Sequence, residues 1–319
     1  MHYLDDYILF APTHELCQRY SKLFIQICDF LHIPLAPHKI TKPATDTTFL
    51  GITIDTVLAQ ARLPLPKIRQ YAADIKYLNT LPELTVKGIQ SILGKLNFAT
   101  AVVPGRVFLR RIIELLPKSS TWKGPIKISS EARLDFNMWV LFLESYNGVT
   151  FFRMLKQLDS RSLNFQADAS KMGFGATYGT SWVQAKYPPS WQKLNIAVLE
   201  FFPIFVLVSL FADKIQNSVV IFHSDNEAVC YIIRRLTSKD CFIQYFLRKL
   251  LMLLIRYNVD LRAQHVPGIK NTLCDAISRF QVTPALLTAH NMDPGPTTVP
   301  DELLPDNFDV SDIASSTTV

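Results

Sequence analysis

Apolar residues recur along this chain at two periods, and the changes of period outline its elements. At the start, Tyr3-Leu4 and Tyr7-Ile8-Leu9-Phe10 flank two adjacent carboxylates, Asp5 and Asp6. That pattern suits a β-hairpin with the acids at its tip and Ile8–Phe10 as strand. A helix is expected over Glu15–Leu31, and Phe49–Asp55 (FLGITID) reads as one strand. From residue 61 the spacing turns helical. Val86, Ile89, Leu93 and Leu96 share one helix face. The run breaks at Val103-Pro104-Gly105, and helix resumes over Arg106–Leu116 and Glu131–Ser145.

Residues 160–280 mix both periods in the order strand, strand, helix, strand, helix, helix, strand, helix, which predicts one domain of mixed α and β. Leu163, Phe165 and Ala167 alternate with Asn164, Gln166 and Asp168, giving a strand whose polar face ends in Asp168. Gly173 and Gly175 permit a tight return into a second strand. Ile196–Ala212 is apolar almost throughout, but it is short for a bilayer and contains Glu200 and Pro203. A buried helix capped by Asn195 is therefore expected, not a membrane span. Val219–His223 is a continuous apolar strand ending at Ser224-Asp225-Asn226. A long helix is expected over Cys241–Tyr257, a strand over Val259–Gln264, and a short last helix over Asn271–Arg279. Residues 281–319 hold five prolines and few aromatics, and are expected to be mostly disordered.

Composition changes this picture in two ways. Apolar residues make up 49% of the 319, enough for sizeable cores. The charge is also unevenly spread. There are 33 Lys and Arg against 27 Asp and Glu, yet no Lys or Arg follows Arg279, while Asp293, Asp301, Glu302, Asp306, Asp309 and Asp312 do. A basic body with an acidic tail points to a polyanionic partner. The five cysteines (17, 28, 230, 241, 274) form no CxxC pair, which fits neither a zinc ribbon nor a disulfide scaffold. An intracellular setting, cytoplasmic or nuclear, is expected, with no signal peptide.

The candidate chemistry lies in carboxylates. Asp168 ends a strand's polar face, Glu200 lies early in a helix, Asp225 lies just past a buried strand, and Asp275 falls on the last helix. An acid just beyond a central strand is well placed for chemistry. Asp5 and Asp6 are a weaker signal, either metal ligands at a hairpin tip or solvated turn residues. Arg106, Arg110 and Arg111 cluster after the Pro-Gly turn, as a phosphate-tracking face or a merely solvated one.

Several segments together carry a family resemblance. They are YLDD, PLAPHK, FLGITID, LPLPKIRQ with SILGKLNFATAVVPGRVFLRRI, FQADASKMGFGA, LEFF, SDNEAV and HVPGIKNTLCDAISRF. Over about residues 1–305 the chain resembles the C-terminal part, from the YLDD motif onward, of the reverse transcriptase/ribonuclease H polyprotein of tyrosine-recombinase (DIRS/Ngaro-like) retrotransposons. The resemblance implies a partial reverse-transcriptase palm at 1–60, a helical thumb and connection at 61–155, a ribonuclease H-like domain at 156–283 with a five-stranded mixed sheet, and the acidic disordered tail at 284–319. It implies that Asp168, Glu200, Asp225 and Asp275 converge. Acids so placed repel unless cations compensate them. Two Mg²⁺ ions, or Mn²⁺, are implied, cutting the RNA strand of an RNA–DNA hybrid.

His265 is implied as a mobile proton carrier, Asn271 as the cap of the last helix, and Ser224 and Asn226 as contacts to the nucleic acid. Arg106, Arg110, Arg111, Arg234, Arg235 and Lys239 are implied along the hybrid. Asp5, Asp6 and Lys39 are implied as a vestigial polymerase and nucleotide site. A third palm carboxylate and the fingers are expected upstream as a partner segment, so no polymerase activity is expected from this chain alone. Pro203, three residues after Glu200, departs from the pattern. It strips the Leu199 carbonyl of its helical donor, at a cost of about 3 kcal/mol in a helix interior. The competing expectation is a non-catalytic remnant that folds and binds nucleic acid without cutting it.

Overall fold

The computed structural model describes residues 2–3, 5–117, 119, 122–146, 150–151, 156–160, 162–265 and 272–315. The first segment opens with a hairpin of β1 (His2–Tyr3) and β2 (Asp6–Tyr7), with Tyr3 opposite Asp6. Asp5 lies at the turn, and both acids are exposed. Strand β2 ends at Tyr7, short of the expected Ile8–Phe10. Helix α1 (His14–Phe30) begins at Thr13, whose hydroxyl accepts from the Leu16 N–H at 3.2 Å.

FLGITID is not one strand. It splits into β3 (Asp46–Phe49) and β4 (Ile52–Asp55), paired antiparallel. Leu50 and Gly51 between them take φ of 48° and 77°. Two successive left-handed residues make the tight turn whose twist matches a hairpin. Strand β5 (Gln60–Arg62) follows, and Arg62 ties Asp46 to Asp55.

The middle of the chain is helical, as its spacing predicts. Helix α2 (Leu65–Thr80) leads through β6 (Glu83–Leu84) to α3 (Val86–Ala99), which Thr85 caps through the Gly88 N–H at 3.1 Å. After the Val103-Pro104-Gly105 break come a 3-10 turn at Arg106–Leu109, α4 (Arg110–Glu114), β7 (Ile126–Lys127) and α5 (Ser130–Leu141). Gly105 is required: a Cβ there would lie 2.6 Å from the Trp139 ring of α5. Strand β8 (Thr150–Phe151) then returns to pair with β5, so the first sheet draws a strand from beyond the helical stretch.

The C-terminal region begins with β9 (Lys156–Asp159), β10 (Gln166–Ala169), β11 (Gly173–Tyr178) and β12 (Ser181–Lys186). It continues through α6 (Ile196–Phe211), β13 (Ser218–Ser224), α7 (Glu227–Arg235), α8 (Cys241–Arg256), β14 (Asp260–His265) and α9 (Thr272–Ser278). The class is mixed α/β, but the strands form two three-stranded sheets instead of the expected single sheet of five. One is antiparallel, in the order β10-β11-β12, and the other parallel, in the order β14-β13-β9.

The reason for the split lies at Ser160. The ladder to β13 ends with Asp159 opposite Ile221. The Ser160 hydroxyl then accepts from the His223 N–H at 3.2 Å, and Asn164 takes φ 48° before β10 starts. A side chain thus continues the contact that a strand would have made. Helix α6 is buried on every side, and among the described residues no helix is long and apolar enough to cross a membrane.

Two side chains of α8 reach into the helical stretch. Gln244 Nε2 donates to the Val107 carbonyl at 2.5 Å, and Arg248 Nη2 lies 2.7 Å from Asp135 Oδ2 of α5.

The stretch expected to be disordered is instead folded back over this region. It carries α10 (Pro284–Ala289), 3-10 turns at Asp301–Leu303 and Pro305–Asn307, and α11 (Val310–Ser315). The Asp293 and Thr297 N–H groups donate to the Thr180 and Trp182 carbonyls at 2.9 and 2.7 Å. Leu287, Met292, Val299, Phe308 and Ile313 are buried. The prolines interrupt helices, but these apolar side chains anchor the segment. Phe308 packs edge-on to Phe246 (5.1 Å) and Phe202 (5.7 Å), and its carbonyl accepts from Trp191 Nε1 at 3.2 Å. Phe308→Ala is expected to lower stability by about 3 kcal/mol, the low end for this truncation. Urea unfolding followed by tryptophan fluorescence measures it, and an unchanged midpoint would mean that the tail contributes nothing to the fold.

Candidate functional site

Asp168 stands opposite Gly175 in the antiparallel ladder. A Cβ at Gly175 would lie 2.6 Å from Ile277 Cβ and 2.8 Å from the Cys274 carbonyl, so α9 rests on β11 where no side chain intervenes. That close approach brings the Ser278 hydroxyl to 3.1 Å from Asp168 Oδ2. It also brings Asp275 near enough to act on Asp168 electrostatically. Burial pushes the Asp168 carboxyl up to about 6; the Ser278 hydrogen bond opposes the shift, and the charges of Asp275 and Asp225 add to it.

Glu200 reaches the same place from α6. Asn195 caps this helix as expected, accepting from the Ala197 N–H at 2.9 Å. Burial pushes the Glu200 carboxyl up to about 7; a hydrogen bond from Asn226 opposes the shift, while Asp225 and Asp168 reinforce it. Asp225 follows β13 directly and is exposed. Asn226 caps α7, accepting from the Ala228 and Val229 N–H groups at 2.9 and 3.2 Å. Its other end is thus free to serve Glu200. His265 lies level with Ser224 in the parallel register, its Nε2 3.1 Å from the Asp225 carbonyl oxygen. That oxygen can only accept, so Nε2 carries a proton here.

Asp168 and Asp225 therefore share one electrostatic field with Glu200, and Asp275 joins it at Asp168. Asp275 itself is half-exposed and pairs with Arg279 Nε at 2.7 Å. Among the described residues, no three His, Cys, Asp or Glu side chains close into a metal-holding cluster. The donor chemistry still suits a hard dication: it is all oxygen, and the raised proton affinities of Asp168 and Glu200 are what an added cation relieves. Arg279 engages only Oδ1 of Asp275, which leaves Oδ2 for such a set.

The remaining expected contacts are more scattered. Ser224 Oγ accepts from the Asn226 N–H at 3.1 Å. Arg234 Nε donates to the Ala263 carbonyl at 2.8 Å, and Arg235 lies over the Tyr231 ring. Arg110 pairs with Glu114 at 2.6 Å, and Arg111 lies beside Asp135. Arg106 and Lys239 are exposed, as is Lys39 in a 3-10 turn at Pro37–Lys39. Asn271 lies outside the described residues.

Three residues that the pattern reading missed also stand at the site. Ser278 and Arg279 sit three and four positions after Asp275, a spacing that puts them on its helix face. Tyr187, just after β12, has no local signal. Pro203 stands inside α6, which nonetheless runs from Ile196 to Phe211, and the Leu199 carbonyl accepts from the Tyr187 hydroxyl at 2.7 Å.

No protein-family model and no curated protein matches this chain. Three solved structures similar to it are of foamy viral protease-reverse transcriptase. One, termed dRH, in complex with ds DNA, is 17% identical over 80% of this chain and 44% of its own, with a TM-score of 0.36. A second, in complex with an RNA/DNA hybrid, is 15% identical over 79% and 34%, with a TM-score of 0.34. The third, in complex with dsDNA, is 15% identical over 80% and 52%, with a TM-score of 0.34. The chain thus spans between about a third and about half the length of these proteins.

Proposed function

We propose that this chain hydrolyses the RNA strand of RNA–DNA hybrids, as the ribonuclease H part of a retrotransposon reverse transcriptase. The observation that supports the reading is that Asp168 feels the charges of Asp275 and Asp225, and Glu200 those of Asp225 and Asp168, although the four acids come from separate elements. These four would hold two Mg²⁺ ions, or Mn²⁺, which when bound supply an activated water and stabilise charge on the leaving 3′ oxygen. The chain's own groups prepare the place. Ser278 holds Asp168, Asn226 holds Glu200 while fixing the turn after Asp225, and the Nε2 proton of His265 stands beside Asp225, exposed to a departing strand. Arg106, Arg235 and Lys239 are exposed cations suited to phosphates. Asp5, Asp6 and Lys39 take no part in this reaction.

The test uses the full chain with 5′-labelled RNA annealed to DNA. With millimolar Mg²⁺ it is expected to nick the RNA and leave matching double-stranded DNA intact, since the 2′-OH and the groove shape of the hybrid discriminate. EDTA is expected to stop it. One observation favours a second reading, a folded remnant that binds hybrid without cutting: Asp275 is turned to Arg279. Retention of the hybrid with no product in Mg²⁺ or Mn²⁺ would establish that reading instead.

A further inference from the structure

Pro203 lies three residues past Glu200, inside α6. It supplies no N–H to the carbonyl four residues earlier, that of Leu199. Leu199 is fully buried, so solvent cannot replace the lost donor. The oxygen accepts instead from the Tyr187 hydroxyl, at 2.7 Å. The peptide unit that owns this oxygen has the Glu200 nitrogen at its other end, and the unit is planar. Whatever fixes the Leu199 oxygen therefore fixes the plane from which Glu200 departs.

Tyr187 is itself held from the sheet side. Its N–H donates to the Met172 carbonyl at 2.9 Å. Its ring stacks on Trp191, 5.5 Å away at 7°, and meets Phe174 at 5.9 Å. Trp191 is anchored in turn through Nε1 to the Phe308 carbonyl. Burial, with Asp168 and Glu200 nearby, raises the phenol's pKa well above its ordinary value, so it remains a neutral donor.

We propose that Tyr187 is a positioning residue for Glu200: its hydroxyl replaces the amide proton that Pro203 lacks and keeps α6 regular at the turn carrying the carboxylate. What Glu200 then does rests on the hybrid-cleavage reading, whereas the positioning does not.

The test is a cycle in the full chain: Y187F, P203A and the double variant. Three measurements are made on each: the urea midpoint, the carbon-13 resonance of the Glu200 carboxyl (assigned with E200Q), and kcat and KM for labelled hybrid. Y187F is expected to lower the midpoint, displace the Glu200 resonance, and reduce kcat about tenfold, the size of one lost hydrogen bond, with KM nearly unchanged. In the P203A background the helix supplies its own N–H, and Y187F is expected to lose most of each effect. Equal effects of Y187F in both backgrounds would overturn the proposal. So would a lower midpoint with an unmoved Glu200 resonance, since Tyr187 would then be a core residue only. If midpoint and resonance are coupled as expected but wild type cuts no hybrid, the positioning stands and the cleavage reading falls.

Discussion

Asp225→Asn is expected to cut hybrid cleavage by the full chain about 10³-fold, or about 4 kcal/mol of barrier, while leaving the fold intact. The substitution keeps size and removes one charge from the group formed with Asp168, Glu200 and Asp275. Asp225 is exposed, and its backbone, not its carboxylate, meets His265, so little packing depends on it. Stability is expected to move the other way when no metal is added. Asp168 and Glu200 bind protons more tightly folded than unfolded, with values pushed up to about 6 and about 7. A carboxylate raised in this way contributes stability at low pH and loses it as pH climbs through the folded value. Without metal, wild type is therefore expected to lose stability between about pH 4 and 7, a loss that D225N softens by removing one repelling neighbour. Melting curves at pH 5 and 8, with and without Mg²⁺, check this. The variant should match wild type at pH 5 and exceed it at pH 8, and Mg²⁺ should reverse the order. Equal cleavage by D225N and wild type would remove Asp225 from the reaction.

Arg248→Met is expected to destabilise the chain by about 4 kcal/mol at pH 8, because removing one partner strands a buried charge. Asp135 is only 2% exposed and its partner Arg248 14%. The guanidinium also lies over the Phe108 ring at 5.7 Å, and its Nε is buried without a hydrogen-bond partner among the described residues. Burial already pushes the Asp135 carboxyl up to about 7, with Arg248 foremost in holding it down and Arg111 next. Without Arg248 it must rise further. A raised acid keeps its folded-state contribution below the ordinary carboxylate range and loses it as pH rises through the folded value. The deficit of R248M is therefore expected to be small at pH 5, where Asp135 takes up a proton, and full at pH 8. D135N/R248M is expected to recover much of it. Urea midpoints of the three proteins at both pH values decide the matter. A deficit that is the same at pH 5 and 8 would mean that lost packing, not the stranded charge, is the cause.

Much of the site was legible because its signals are local. Asp168 stands on a polar strand face and Asp225 just past an apolar run, and Asn195 announces the start of α6. What was illegible depends on distant partners. Leu50 at positive φ is an unfavourable choice that only the pairing of β3 with β4 enforces, so alternation alone suggested one strand. Asn164 tolerates either backbone sign, and its left-handed turn goes with bonds to distant residues: its side chain donates to the Gly179 carbonyl and its own carbonyl accepts from Thr177. The acidic, proline-rich tail has the composition of a disordered chain, yet five spaced apolar residues suffice once Trp182 and Trp191 offer them a surface. Pro203 looked like damage to α6, since the donor that repairs it comes from Tyr187 on another element.

The returning tail also bears on how the chain is made. Trp191 and the Phe308 carbonyl that satisfies its indole are separated by 117 positions. A ribosome delivers Trp191, Phe202 and Phe246 long before it delivers Phe308, and until then this aromatic cluster lacks its cover. This region is thus built to finish folding only after Phe308 has been synthesised, and a nascent chain paused before residue 308 presents an open apolar surface to chaperones and proteases.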